Sequence, residues 1–172
     1  MKTIEEAPFK QLLEIISPSP ALRIAHFAHG EEEIIAYLSD FAQAHDYEYQ
    51  INTTDPDHAT QLSKQFASHP STKALHFPLQ RPRYMMQGKL YDYLFVTTPI
   101  PPEIRSDFLQ KSHSIIKNAG LILLFIPKTD SQTRYDWLAH LEEQYYVASS
   151  TIDDLFEGVD LIISKKMHGW GG

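Results

Sequence analysis

The sequence predicts a doubly wound α/β domain, a mostly parallel sheet with helices on both faces, opened by an N-terminal helix and closed by a C-terminal antiparallel hairpin strand. Three observations carry this. From Ala21 onward, short runs of β-favouring residues alternate with stretches whose apolar residues recur at helical spacing. Residues 91–98 read YDYLFVTT, nearly continuous in apolar and β-favouring residues, as for a parallel strand covered on both faces. The last two strand-like runs, residues 146–151 and 159–165, are joined by residues 152–158, too short a link for a right-handed parallel crossover, so they pair antiparallel. Residues 1–20 form an N-terminal helix and linker packed on the domain, and residues 21–172 form the domain itself.

The elements follow in order. Residues 3–16 place Ile4, Phe9, Leu12, Leu13 and Ile16 on roughly one helical face, and Ser17-Pro18-Ser19-Pro20 ends the helix, because proline disfavours helix in its predecessor. The first strand spans residues 21–28, with Leu22, Ile24 and Phe27 as its large apolar residues. His29-Gly30 turns the chain into a helix over 31–44 that carries Ile34, Ile35, Leu38, Phe41 and Ala42 on one stripe, with three glutamates at its positive end.

A second strand covers 49–53, and Asp55-Pro56 opens a helix carrying Ala59, Leu62 and Phe66, a capping aspartate before proline at the first helical position. A short third strand at 74–77 leads through an irregular stretch, 78–90, into the fourth strand. After a proline-stiffened loop over 97–102, a helix over 103–117 turns Ile104, Phe108, Ile115 and Ile116 inward and stops at Asn118-Ala119-Gly120. The fifth strand, 121–126, and a helix over 131–144 with Trp137, Leu138 and Leu141 inward precede the closing hairpin.

Composition sets bounds on function. A chain of 172 residues fits one domain with a sizeable core. It has no cysteine, which excludes disulfides, thiolate metal sites and thiol catalysis and suits a reducing compartment. The first 16 residues carry acids among their apolar positions and do not read as a signal peptide, and the apolar runs at 121–127 and 91–96 are too short to span a bilayer, so the expected location is cytoplasmic and the expected state soluble. Against 22 acids stand 15 basic residues, a formal net charge of −7 without a basic stripe. A long nucleic-acid footprint is therefore disfavoured, although a local patch for RNA stays open, and the partner is expected to be a small molecule or a protein.

The order of elements, βα units followed by a final antiparallel strand inserted through a hairpin, resembles that of the class I S-adenosylmethionine-dependent methyltransferases, whose fold is Rossmann-like. Local text over residues 21–166 is similar in places. Tyr91-Asp92-Tyr93-Leu94-Phe95-Val96 resembles that family's strand of aromatic, Asp, then apolar residues. Lys117-Asn118-Ala119-Gly120-Leu121-Ile122 resembles its Leu-Lys-Pro-Gly-Gly turn into the fifth strand, with Asn and Ala in place of Pro and one Gly. Asp55 falls where the family keeps an acid for the ribose hydroxyls.

The first turn departs from the pattern. The family's first strand ends in an acid followed by a glycine-rich turn, which lets backbone approach the cofactor. Here Ile24-Ala25-His26-Phe27-Ala28-His29-Gly30 keeps one glycine and no acid, and His26 and Phe27 add bulk. The resemblance implies S-adenosylmethionine across the carboxyl ends of the first two strands, with backbone at Ala28, His29 and Gly30, Asp55 on the ribose, and Thr97 or Thr98 beside the methyl group. Glu31, Glu32 and Glu33 would repel a pyrophosphate, which disfavours a dinucleotide oxidoreductase, whereas a sulfonium carries no phosphate; the triplet is equally read as complementing a helix dipole.

Other constellations have plain alternatives. Asp55 is also a helix cap. Thr97-Thr98-Pro99-Ile100-Pro101-Pro102 sits where amino-group methyltransferases carry Asn/Asp-Pro-Pro-aromatic, but lacks the amide or acid and splits the prolines, so a structural loop is the other reading. His26 and His29 invite a metal, yet lie three apart on a strand without a zinc motif, and no metal cofactor is expected. Asp153, Asp154 and Glu157 read as a solvated turn, and the terminal His168-Gly169-Trp170-Gly171-Gly172 as a tail. Arg81, Arg83, Tyr84, Met85 and Met86 form either a binding surface or the edge of the core. Two functions result: a methyltransferase-like protein with an altered cofactor turn, or a non-catalytic binding or scaffold module that retains the fold.

Overall fold

A computed structural model describes residues 4–85, 88–128 and 131–167. Thr3, Met86 and the terminal segment 168–172, which figure in the sequence reading, lie outside the described residues. Among the described residues the elements run α1 (Glu6–Leu12), β1 (Arg23–Phe27), α2 (Glu32–His45), β2 (Glu48–Thr53), α3 (Pro56–Gln65), β3 (Thr72–His76), β4 (Tyr91–Val96), α4 (Arg105–His113), β5 (Ile116–Pro127), α5 (Ser131–Glu143), β6 (Tyr146–Ile152) and β7 (Val159–Lys166). None of these helices is long and apolar enough to cross a membrane.

The strands form one seven-stranded sheet in the order β3-β2-β1-β4-β5-β7-β6. The ladders of β1 with β2 and β4, of β2 with β3, and of β4 with β5 are parallel, while β7 runs antiparallel to both β5 and β6. The doubly wound α/β architecture with its C-terminal antiparallel hairpin is therefore present. The hairpin also folds back, so that β7, the later strand, takes the place beside β5 and leaves β6 at the edge.

Alternation along the central strands supplies both faces. On β4, Tyr93 and Phe95 pack toward one core, and Leu94 and Val96 toward the other; on β5 Leu123 and Phe125 oppose Ile122, Leu124 and Ile126. The first core receives Phe9, Leu12 and Leu13 from α1 and its 3-10 extension, Ile34, Ile35 and Leu38 from α2, and Leu62 from α3. The apolar face read for the N-terminal helix is thus buried, with Phe9 edge-on to Phe95 at 6.0 Å.

The second core is covered differently. Phe108 and Leu109 of α4 and Trp137 and Leu141 of α5 cover β4 and β5. Over the β1 side lies the link between β3 and β4, residues 77–90, in which no helix is found among the described residues. Phe77, Leu79 and Tyr84 are buried there instead, and the Tyr84 hydroxyl donates to the Leu79 carbonyl at 2.8 Å. Tyr84 belongs to the core, whereas Met85 is 64% exposed, so the loop read as surface or core edge is divided between the two.

The largest differences in extent from the sequence reading lie around residues 113–121, where the fourth helix gives way to the fifth strand. The helix predicted over 103–117 begins as a 3-10 turn, Pro102–Ile104, continues as α4, and ends at His113. Ile116 opens β5 and pairs with Tyr91, whose amide donates to the Ile115 carbonyl at 2.8 Å. Lys166 explains the early stop: its Nζ donates to the carbonyls of His113 and Ile116 at 2.9 and 2.8 Å, placing a cation at the negative end of α4. Asn118-Ala119-Gly120, read as a helix stop, is an irregularity inside β5, with Ala119 at φ +67°.

Gly120 is needed there for space. A Cβ at that position would stand 2.6 Å from Ile116 Cγ2, 2.9 Å from the Lys117 carbonyl oxygen and 3.0 Å from that of Asp92. Gly120→Ala is expected to cost about 1–3 kcal/mol in urea unfolding, because two of these atoms are backbone and cannot rotate away. An unchanged midpoint would show that β4 and β5 do not approach this closely.

Candidate functional site

The carboxyl ends of β1, β2 and β4 meet at one edge of the sheet. Strand order places the reversal of connection between β1 and β4, the position at which open α/β sheets leave a crevice. The Phe27 carbonyl joins the two strand ends, accepting the amides of Thr97 at 2.9 Å and Thr98 at 3.1 Å. The Ala28 amide bonds the Asn52 carbonyl at 2.9 Å and fixes β2 on the other side.

Beyond Ala28, which is buried, the chain turns outward at exposed His29 and Gly30. Gly30 has φ +63° and open space where a Cβ would stand, and Glu31 follows in the left-handed region at φ 53°. Glu31 occupies the cap position of α2 without its side chain capping the helix. The adjacent α3 is closed in the opposite manner, because Asp55 Oδ1 accepts the Asp57 amide at 2.9 Å. Of the two readings of Asp55, the cap is therefore formed, and the residue remains exposed.

A polar bridge links the two helix starts. His58 Nε2 lies 2.7 Å from Glu32 Oε1, its Nδ1 lies 3.3 Å from Thr53 Oγ1, and that hydroxyl accepts the Asp55 amide at 3.2 Å. The glutamate triplet is thus partly engaged with α3. Sequence reading missed His58, although its position in the first turn of a helix beginning at a strand end was a usable signal.

His26 lies beneath the turn and is fully buried. Its ring faces the α1–α2 side, stacked on Tyr49 with centroids 6.0 Å apart and edge-on to Phe95 at 6.3 Å. Both nitrogens are satisfied: Nδ1 is 2.6 Å from the Tyr49 hydroxyl and Nε2 is 2.7 Å from Thr97 Oγ1. Burial pushes its pKa from 6.5 down to about 3, so the ring is neutral at physiological pH. Phe27 points the other way, into an aromatic group with Phe108 at 5.2 Å, Phe77 at 5.3 Å and Tyr84 at 5.6 Å. His29 does not join His26, and no group of three or more potential ligands able to hold a metal occurs among the described residues.

Thr97 and Thr98 separate in space. Thr97 turns to His26 and, through Oγ1, also to the Phe27 carbonyl at 3.4 Å. Thr98 is 5% exposed and lines a pocket of about 200 Å³ at the ends of β4 and β5, together with Ile100, Arg105, Leu124, Ile126 and Trp137. Sequence reading placed Trp137 correctly as inward-facing but saw no pocket, because the pocket's walls come from four separate segments.

No family model and no curated protein matches the sequence. Solved structures do resemble the fold. An S-adenosylmethionine-dependent O-methyltransferase from Thermotoga maritima superposes with a TM-score of 0.74 at 11% identity, covering 97% of this chain and 67% of the other. A TehB-like S-adenosylmethionine-dependent methyltransferase from Corynebacterium glutamicum gives 0.72 at 14% identity over 92% and 87% of the two chains. The fold is that of the class I methyltransferases. The CurJ carbon methyltransferase also shares it, with a TM-score of 0.70 and 13% identity over 92% of this chain, which spans about half (52%) of the CurJ chain.

Within that methyltransferase-like fold, the buried histidine yields a stability prediction. An unfolded histidine titrates near 6.5 and the folded one near 3, so the unfolded state binds more protons between these values. The contribution is fully present above about pH 6.5 and is lost as pH falls toward 3, at about 1.4 kcal/mol per unit. Lowering the pH from 7.5 to 5 should remove about 2 kcal/mol from wild type through this group, and His26→Asn should lack that component while retaining the contribution of His113. Parallel urea-unfolding profiles for the two proteins would contradict the assignment.

Proposed function

We propose that the protein binds S-adenosylmethionine across the carboxyl ends of β1 and β2 and is a methyltransferase with an altered cofactor turn. The observation that carries this reading is the start of α2: left-handed Gly30 and Glu31, open space over Gly30, and a helix terminus that the cap residue's side chain leaves uncapped. The first-turn amides of such a helix are donors without intrahelical partners. A nucleoside lying beside them would meet no side chain at Gly30, where the space is open.

The charge of the rim favours the same ligand. Glu32, Glu33, Asp55 and Asp57 are all exposed at the two helix starts. They disfavour phosphate and complement a net cationic nucleoside. Asp55 uses Oδ1 for its cap, leaving Oδ2 for a ribose hydroxyl. The neutral His26 adds no positive charge beneath the site. When bound, the cofactor supplies an electrophilic methyl group on a sulfonium. The protein's share is placement: Thr97 and Thr98 hold the end of β4 against β1, and transfer to a well-positioned acceptor needs no general base when the acceptor is itself nucleophilic.

A second reading, a non-catalytic binding or scaffold module, is favoured by the aromatic packing of Phe27, Phe77, Tyr84 and Phe108, which fills the α4 side directly below the turn. Calorimetric titration with S-adenosylmethionine and S-adenosylhomocysteine separates the two. The methyltransferase reading expects binding of both, with an advantage for the cationic ligand that shrinks as salt is added. Asp55→Asn, which retains a good cap, should weaken binding about tenfold while leaving stability within about 0.5 kcal/mol. No heat at millimolar nucleoside would leave the scaffold reading.

A further inference from the structure

The pocket at the ends of β4 and β5 lies on the opposite side of β4 from His26, against the core covered by α4 and α5. Its walls are chiefly apolar, from Ile100, Leu124, Ile126 and Trp137. A volume of about 200 Å³ is that of a single-ring molecule, since an apolar cavity of about 150 Å³ admits benzene. Such a space at the functional edge of the sheet differs from the close packing of the remaining core.

Three polar side chains, Thr98, Arg105 and Thr133, interrupt the apolar wall. Thr98 is 95% buried as a residue and lines the pocket, with its amide held by the Phe27 carbonyl at 3.1 Å. A threonine hydroxyl both donates and accepts, so in the pocket lining it can hydrogen-bond a ligand oxygen. Arg105 is 13% exposed at its side chain; Nε donates to the Ile100 carbonyl at 3.3 Å, Nη1 to Asp136 at 2.8 Å, and the guanidinium lies over the Trp137 ring at 5.1 Å from its centroid. Because Asp136 offsets the guanidinium charge, the pocket offers hydrogen bonds without a net positive field. A carboxylate would lose its hydration there without gaining an unpaired cation.

We infer that this pocket binds a neutral single-ring aromatic compound carrying a hydroxyl group, its ring against Trp137 and Ile126 and its oxygen at Thr98. Binding of the ring stands apart from the methyltransferase reading, and no methyl transfer to its hydroxyl is assigned. Thr98 then determines specificity on the pocket side of β4, while Thr97 serves the His26 side. The division explains why adjacent threonines at one strand end have such different surroundings.

The test is a methyl-resonance titration of the nucleoside-free protein with phenol, toluene and benzoate, following Ile100, Leu124 and Ile126, with Ile34 and Ile35 on the other face as controls. Phenol should shift the first group saturably and leave the second in place, with benzoate at least tenfold weaker. Thr98→Val should weaken phenol about tenfold and leave toluene unchanged, and Thr98→Ser should restore phenol. Where Thr98→Val disturbs the control resonances, Thr98→Ala provides the same comparison. Absence of saturable shifts with phenol, equal losses for phenol and toluene, or tighter benzoate binding overturns the inference. Failure of S-adenosylmethionine to bind while phenol binds removes only the cofactor reading, and the reverse result removes only this one.

Discussion

Burial of β1 on both faces is the constraint on which the rest of the structure depends. From Ile24 to Phe27 no side chain is more than 1% exposed. Parallel strands reach this state only when helices or their equivalents cover both sides, and any polar side chain they contain must then find its hydrogen bonds inside. His26 does so at both nitrogens, through Tyr49 of β2 and Thr97 beyond β4. The carboxyl ends of β1, β2 and β4 are thereby joined by one neutral ring as well as by their ladders.

The same constraint accounts for the unusual link between β3 and β4. A chain crossing from the sheet edge to β4 must pass over β2 and β1, and this one does so without a helix among its described residues. Aromatic volume replaces helical volume: Phe77 and Tyr84 meet Phe27, with Phe108 completing the group. Phe27 is therefore a wall of the second core, and the exposed surface of the turn begins only at His29 and Gly30.

At the carboxyl edge of the sheet, the two helix starts contrast. α3 is closed by Asp55, and α2 opens from two consecutive left-handed residues without a cap from Glu31. Acidic side chains surround both. On the proposed reading, a cationic nucleoside suits this environment and a pyrophosphate does not. The Thr98 pocket stands on the other side of β4, so that ligand sites on the two sides would share one strand end.

Local sequence determined the element types, the buried faces and the chain's antiparallel end. These follow from periodicities of two and of about 3.6, from Asp55-Pro56, and from the short link before β7, all of which act over a few residues. Tertiary structure decided where α4 stops, because the cation that ends it, Lys166, is some 50 residues away in sequence. It also decided that β7 lies inside β6, that the two histidines of the first turn separate into a buried and an exposed one, and that Thr97 and Thr98 serve different neighbours. Each of these depends on which strands become adjacent, a property of the whole sheet that no local run of residues encodes. The first turn was visible in the sequence as a single glycine beside bulky residues; only the folded sheet showed that Gly30 stands clear of them.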